Sequence, residues 1–275
     1  MVSDIDPVAF SAFEKQAWQQ CASLYDRYFG LLTAQTGNKL LDAVAERPVG
    51  KELLDVATGP GYLAKQAERR GFTRIVGIDF SDVMIAFAKS EPSNIEFRVG
   101  DAQNIDERNA SFDAVTMNFG LLHLSLPEKA IAESYRVLKH DGRFAFTVWA
   151  EPERALGFSI ILDAINSHAD KNMSLPAGPP FFHFSDSANS ISALQNGGFN
   201  NCQTEELDLI WTLDSAEDLF NAFLYGTARV GGLMRMQTPD TLAKIKETLV
   251  KNAAPFQTGK SLKIPMSVVM SIGTK

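Results

Sequence analysis

Cysteine is scarce in this chain: Cys21 and Cys202 are the only two in 275 residues, and neither has a second Cys or a His at metal-ligand spacing. The expectation is two reduced thiols, with no disulfide framework and no metal centre. Long apolar runs are missing too. No stretch approaches the roughly 20 residues that a membrane-spanning helix needs, which argues against membrane insertion. Positive charge is short and scattered, with 26 Lys and Arg against 33 Asp and Glu and a formal charge of −7. A phosphate backbone would be repelled by such a surface, so nucleic acid is not the expected partner. The opening Met-Val-Ser-Asp-Ile-Asp-Pro lacks a basic segment followed by an apolar one, so nothing reads as a secretory signal and the cytoplasm is the expected compartment. Repeats, low-complexity tracts and linkers are absent as well.

What is present is ordinary globular composition, 45% hydrophobic and 21% charged. Residues 8–45 recur at threes and fours through Phe10, Phe13, Ala17, Trp18, Leu24, Tyr25 and Tyr28, a helical preface punctuated at Gly30 and Gly37. Short β-like runs at 53–57, 74–78, 95–99, 112–117 and 143–149 then alternate with helical stretches near 61–70, 82–90 and 127–138. Strand–helix alternation of this kind argues a parallel, doubly wound sheet. From 151 to 184 the pattern loosens, broken by Pro176, Pro179 and Pro180 ahead of Phe181-Phe182-His183-Phe184, and this stretch reads as an inserted lid. Ser185-Asp186 can cap a helix ending at Gly197-Gly198. Residues 203–211 and 265–272 read as two more strands, with helices at 216–228 and 239–251 between them.

The richest stretch is Leu53-Leu54-Asp55-Val56-Ala57-Thr58-Gly59-Pro60-Gly61-Tyr62-Leu63, an apolar strand running into a glycine turn that opens a helix. Such a turn lets a ligand approach backbone amides at a helix N-terminus. Gly59, Gly61 and Ala64 also satisfy G-x-G-x-x-A, so an NAD(P)-dependent oxidoreductase stands as an alternative. Asp79 ends the second strand, where a carboxylate can accept hydrogen bonds from both ribose hydroxyls. Asp101 ends the third, where it can accept from an adenine amino group. This second acidic position, together with Asp55 ahead of the turn, is better explained by S-adenosylmethionine than by NAD.

With these motifs in this order, residues 50–150 resemble the class I S-adenosylmethionine-dependent methyltransferases, especially the small-molecule branch that includes quinone biosynthesis. Phe112-Asp113-Ala114-Val115 and Arg136-Val137-Leu138-Lys139-His140-Asp141-Gly142-Arg143 extend the likeness. Ala57 departs from the commonest pattern, which has glycine there. The resemblance implies an α/β fold: a Rossmann-like doubly wound sheet, mostly parallel with an antiparallel last strand, plus helical cap insertions. It implies a single domain over 1–275, with a core at about 46–150, 185–213 and 263–275 and a helical cap at about 8–45, 151–184 and 214–262. The backbone around Ala57, Gly59 and Gly61 would face the methionine moiety, Asp79 the ribose, and Asp101 with Ala102 the adenine. Phe80 and Met84 would flank the adenosine, Asn118 would turn its carbonyl to the donor's ammonium group, and Tyr25 would close over the donor.

His123, just past the fourth strand, is the first candidate for taking a proton from an acceptor, because an imidazole titrates near neutral pH. His183 in the phenylalanine-rich lid is the second. Arg229 and Arg235, flanking Gly231-Gly232, are candidates for receiving an anionic acceptor. The strand-four segment lacks the Asn/Asp-Pro-Pro-aromatic signature of many nucleic-acid amino methyltransferases. The expected partner is therefore a small organic acceptor, methylated on oxygen, nitrogen or carbon. A donor-binding protein with non-methyl chemistry stays open, as does oligomeric state.

Overall fold

The computed structural model describes residues 5–45, 52–170 and 172–275. Residues 46–51, where the expected core begins, and Met1–Asp4, read above for a signal, lie outside them. The elements in chain order are α1 (Pro7–Thr33), α2 (Gly37–Ala45), β1 (Glu52–Val56), α3 (Tyr62–Arg69), β2 (Arg74–Asp79), α4 (Asp82–Ala88) and β3 (Glu96–Val99). Next come β4 (Phe112–Asn118), α5 (Pro127–Val137), β5 (Leu138–Trp149), α6 (Leu156–His168), α7 (Ser187–Asn196), β6 (Asn200–Leu207) and β7 (Ile210–Leu213). Last are α8 (Ala216–Gly226), α9 (Arg229–Arg235), α10 (Pro239–Ala253), β8 (Gln257–Thr258), β9 (Ser261–Pro265) and β10 (Val268–Thr274).

The chain forms two compact units, one made of the chain to Leu32 with Ala150–Gly178 and Asp208–Ser267, the other of Thr33–Trp149, Pro179–Leu207 and Val268–Lys275. In the second, seven strands run in the order β3-β2-β1-β4-β5-β10-β6. β1 through β5 pair in parallel, while β10 lies antiparallel between β5 and β6. This is the Rossmann-like sheet that the motifs imply, with its last strand reversed. β4 is buried along six of its seven residues, as a central strand covered on both faces must be. Strand order reverses between β1 and β4, and a doubly wound sheet opens its ligand crevice at the carboxyl ends of the strands flanking such a switch point.

The first unit is mainly helical, with a three-stranded antiparallel sheet in the order β7-β9-β8. Its aromatic core gathers on Trp211, whose indole N–H donates to the Tyr28 carbonyl at 2.9 Å and whose ring lies 4.6 Å from that of Phe29. Buried Glu14 accepts from Arg229 Nε at 2.8 Å and from Trp18 Nε1 at 3.1 Å. Arg229 is thus tied to a buried carboxylate, and Arg235 donates to the Leu224 carbonyl.

Several boundaries differ from the sequence reading. The run 203–211 is two strands in two sheets, and so is 265–272. Both runs break where the chain passes between units, and the breaks are stitched together: Ser267 Oγ donates to Asp208 Oδ1 at 2.8 Å and the Met266 amide to the Leu209 carbonyl at 2.9 Å. α1 continues through Gly30, because a helix tolerates one glycine at a modest cost. α2 packs on β4 and β5, within the sheet unit and apart from the cap expected at 8–45. The lid stretch contains α6, thirteen residues with six buried. Its closing segment, from Pro179, belongs to the sheet unit, where the Phe184 ring meets that of Phe146 at 6.3 Å. Asp186 caps α7 by accepting from the Ala188 amide, and Gly198 follows at φ +97°, the start and stop that the sequence announces.

Candidate active site

The carboxyl edge of the parallel strands carries most of the singled-out residues, each placed by the end of its strand. After β1 the chain turns through Ala57, Gly59 and Gly61, all left-handed at φ 54°, 54° and 81°. Glycine adopts this region freely, whereas alanine there costs about 1 kcal/mol. A Cβ on Gly61 would lie 2.7 Å from the Phe97 ring, so that glycine lets the turn seat on β3. At Gly59 a Cβ would meet nothing within 4 Å. Its surface is open to a ligand.

Two buried carboxylates organise this turn. Asp55 accepts from Thr58 Oγ1 at 2.6 Å and, across the β1–β4 pairing, from Thr116 Oγ1 at 3.0 Å. Burial pushes its carboxyl up to about 7 against those hydrogen bonds. Both oxygens are thus committed to holding the turn. Asp79, at the end of β2, accepts from the Gly59 amide and from the Ser81 amide, each at 2.9 Å. Burial again dominates and raises its carboxyl to about 6, with the two amide bonds pulling the other way. Asp79 therefore joins the glycine turn to the start of α4, whose cap is Ser81 and whose first turn carries buried Met84. Phe80, half-buried, lies between them.

Beyond β3, the Gly100 amide donates to the Asp79 carbonyl at 2.9 Å. Asp101 is exposed, accepting from the Gln103 amide at 2.8 Å, and Ala102 is buried beside it. Gln103 escaped the sequence reading. Its side-chain carbonyl accepts from Ser125 Oγ at 3.1 Å and the Leu126 amide at 2.8 Å, tying the loop after β3 to the loop after β4. A lone glutamine in a loop gives no signal from which this could be read.

The loop after β4 is the third wall. Phe119 is left-handed at φ 58°, with its ring 4.3 Å from that of Trp149 at the end of β5. A Cβ on Gly120 would sit 2.6 Å from the Ala57 methyl, so this loop presses on the glycine turn. His123 closes a 3-10 turn, Leu121–His123, and its ring meets Phe181 edge to face at 6.1 Å. His183 is exposed and packs on Phe184. Asn118 directs its side chain toward threonines: its carbonyl accepts from Thr147 Oγ1 at 2.6 Å and Thr36 Oγ1 at 2.8 Å, and its amide donates to the Thr33 carbonyl at 3.1 Å. The structure thus brings Asp55, Ala57, Gly59, Gly61, Asp79, Phe80, Met84, Asp101, Ala102, Asn118 and His123 to one edge of the sheet unit. Tyr25 lies in the helical unit, its ring between Trp18 and Phe29.

Comparison with known proteins agrees with this geometry. Residues 54–146 match a family described as a methyltransferase domain. A demethylmenaquinone methyltransferase of Renibacterium salmoninarum is 33% identical over 142 residues, 50% of this chain and 59% of that one. A second, from Clavibacter sepedonicus, is 32% identical over 54% of this chain and 64% of its own. The match thus spans about three fifths of the length of these relatives. Among solved structures, phosphoethanolamine N-methyltransferase 2 of Haemonchus contortus, in complex with S-adenosylhomocysteine, superposes with a TM-score of 0.59 at 16% identity, covering 98% of this chain and 61% of that one. The cyclase SpnF gives a TM-score of 0.58 at 16% identity, over 98% and 97% of the two chains. At such identities these likenesses speak for the fold alone. Residues 54–146 thus match a methyltransferase domain, and the sheet that holds them has the Rossmann-like strand order.

Proposed function

We propose that this protein binds S-adenosylmethionine at the carboxyl edge of β1–β4 and transfers its methyl group to a small organic acceptor. The observation that carries the reading is the pairing of Asp79 with the Gly59 turn: a buried carboxylate beside an open, left-handed glycine surface. When ionised, Asp79 offers lone pairs to two ribose hydroxyls beyond those taken by the two amides. The bare backbone at Gly59 admits the methionine end, and Asp101 with Ala102 takes the adenine. Phe80 and Met84 flank the adenosine.

The donor's sulfonium makes its methyl carbon electrophilic without help from a covalent nucleophile. The protein's part is to hold the acceptor in line behind that carbon and to exclude water. An acceptor electron pair forms the new bond to carbon while the carbon–sulfur bond breaks and its pair stays on sulfur. The proton that the acceptor loses goes to His123, oriented by Phe181, or to solvent. Net charge of −7 speaks for a small molecule over a nucleic acid as acceptor. Its compartment would be the cytoplasm, where the free thiols of Cys21 and Cys202 stay reduced. Among the described residues, no helix is long and apolar enough to cross a membrane.

Isothermal titration with S-adenosylhomocysteine, NAD and NADP tests the donor, with S-adenosylhomocysteine alone expected to bind; nucleotide-only binding overturns the reading. Transfer of labelled methyl from S-adenosylmethionine to a short-chain demethylmenaquinol, the reduced form of the quinone in the relatives' names, is the first acceptor assay. Tight donor binding with no transfer across a broad acceptor panel would favour non-methyl chemistry.

A further inference from the structure

Asn118 sits where a strand-four residue can touch the donor, yet its side chain is spent on other groups. The Thr33 carbonyl can only accept, so the NH2 of Asn118 must face it. Its Oδ1 therefore points at Thr36 Oγ1 and Thr147 Oγ1. The Phe119 amide is shared between the Thr147 carbonyl at 3.1 Å and Thr147 Oγ1 at 3.2 Å, so Thr147 keeps its own hydroxyl proton for Asn118. Thr36 Oγ1, 2.7 Å from the Thr33 carbonyl and 2.8 Å from Asn118 Oδ1, shares its single proton between these two acceptors. Thr36 and Thr147 are both fully buried. Four residues on three segments are locked together: the end of α1 with the turn that follows it, the end of β4, and β5.

The lock acts on the next residues of the chain. It braces Asn118 and shares the Phe119 amide with the Thr147 backbone carbonyl, and Phe119 is the left-handed residue that turns Gly120 onto Ala57 and leads to His123. We infer that Thr36 and Thr147 are positioning residues, which act through Asn118 to fix the loop after β4 against the donor-binding turn. Asn118 thereby serves as a bolt, and its carbonyl is not a donor ligand. The inference rests on the reading of this edge as the donor site, but the lock itself can be tested apart from it.

Thr147→Val and Thr36→Val keep the side-chain shape and remove one hydroxyl each, while Thr147→Ser keeps the hydroxyl. In protein without donor, hydrogen exchange of the amides at 120–123 should speed up at least tenfold in both valine variants and stay as in wild type in Thr147→Ser. Unchanged exchange in the valine variants overturns the lock. In titrations, S-adenosylhomocysteine affinity should stay within about threefold of wild type in the valine variants and in Asn118→Ala, because Asp79 and Gly59 are untouched. Turnover of the demethylmenaquinol probe should fall about tenfold or more. A large loss of affinity in Asn118→Ala alone would make Asn118 a direct ligand and defeat the inference. So would a lowered Tm with unchanged exchange and turnover, the mark of a purely structural role. Should wild type bind no donor, the proposed function fails, and the exchange data still decide the lock.

Discussion

At the scale of single residues, Asp79 carries the most chemistry. Its carboxyl stands near 6 in the folded protein, against about 3.9 for an unperturbed aspartate. A group whose pKa is raised on folding adds stability below its unfolded pKa and loses it as pH rises through the folded value. The relevant window is pH 4–6, and about 2 units correspond to roughly 3 kcal/mol. Thermal unfolding of wild type and Asp79→Asn should therefore show wild type gaining on the variant as pH falls from 8 to 5. Donor binding runs the other way, because ribose hydroxyls need the ionised carboxylate. S-adenosylhomocysteine affinity should weaken below about pH 6, by at most tenfold per pH unit for one proton, and Asp79→Asn should flatten that dependence while weakening binding throughout. A wild-type profile that is level from pH 8 to 5 would remove Asp79 from the ribose site.

Ala57 and Gly120 form a second residue-scale case, since one bears a methyl where the other cannot. Gly120→Ala forces a methyl to within 2.6 Å of the Ala57 methyl and close to Met117, and overpacking of this kind costs about 1–3 kcal/mol. Ala57→Gly alone relieves left-handed strain but loosens the unfolded chain, so its net effect should be under about 1 kcal/mol. Placed together, the two changes should recover part of the Gly120→Ala loss. Denaturant titration of the four proteins reads the coupling, and simple additivity would show that the two positions do not press on each other.

At the scale of elements, what the sequence discloses follows from how local each cause is. β1, β2 and β4 were legible because a buried strand writes a short apolar run between turn residues. α7 was legible because Asp186 and Gly198 mark its two ends. α6 was not: prolines near 176–180 suggested that its whole stretch was broken, although they lie beyond its end at His168. The division of 203–211 between two sheets was equally hidden, since its cause is pairing with β10 on one side and β9 on the other. The site divides in the same way. Gly59, Asp79 and Asp101 could be read from strand ends, while Gln103 and the threonines around Asn118 reveal themselves only through partners distant in sequence. Local causes also allow local tests. Ser81 is the cap of α4, with Oγ accepting from the Met84 amide at 3.3 Å, so Ser81→Ala should cost about 1 kcal/mol in denaturant unfolding. A loss near zero would mean that the Asp79 bond to the Ser81 amide suffices to start the helix.

At the scale of the whole molecule, the segment that matches a methyltransferase domain makes up only part of a compact unit, which also takes in 179–207 and 268–275. Its last strand, β5, is buried through Phe144 and Phe146 and pairs along seven residues with β10, which the chain supplies more than a hundred residues later. β10 in turn pairs with β6. A fragment of residues 33–149 would lack both strands and would turn β5 into a long apolar edge, the kind that invites aggregation. Val268, Val269 and Met270 of β10 are all buried, and at about 1.5–3 kcal/mol for each such side chain their loss alone removes roughly 5–9 kcal/mol. That is comparable with the whole stability of an ordinary domain, about 5–15 kcal/mol. The fragment should therefore show no cooperative thermal transition, bind a hydrophobic dye and fail to bind S-adenosylhomocysteine, although it contains Asp55, Gly59, Asp79 and Asp101. Rejoining 179–207 and 268–275 to it through flexible linkers should restore a transition, because those segments complete the seven-stranded sheet. Cooperative unfolding of the short fragment would instead mean that the five parallel strands and their helices suffice, and that β10 and β6 only cover an edge already stable.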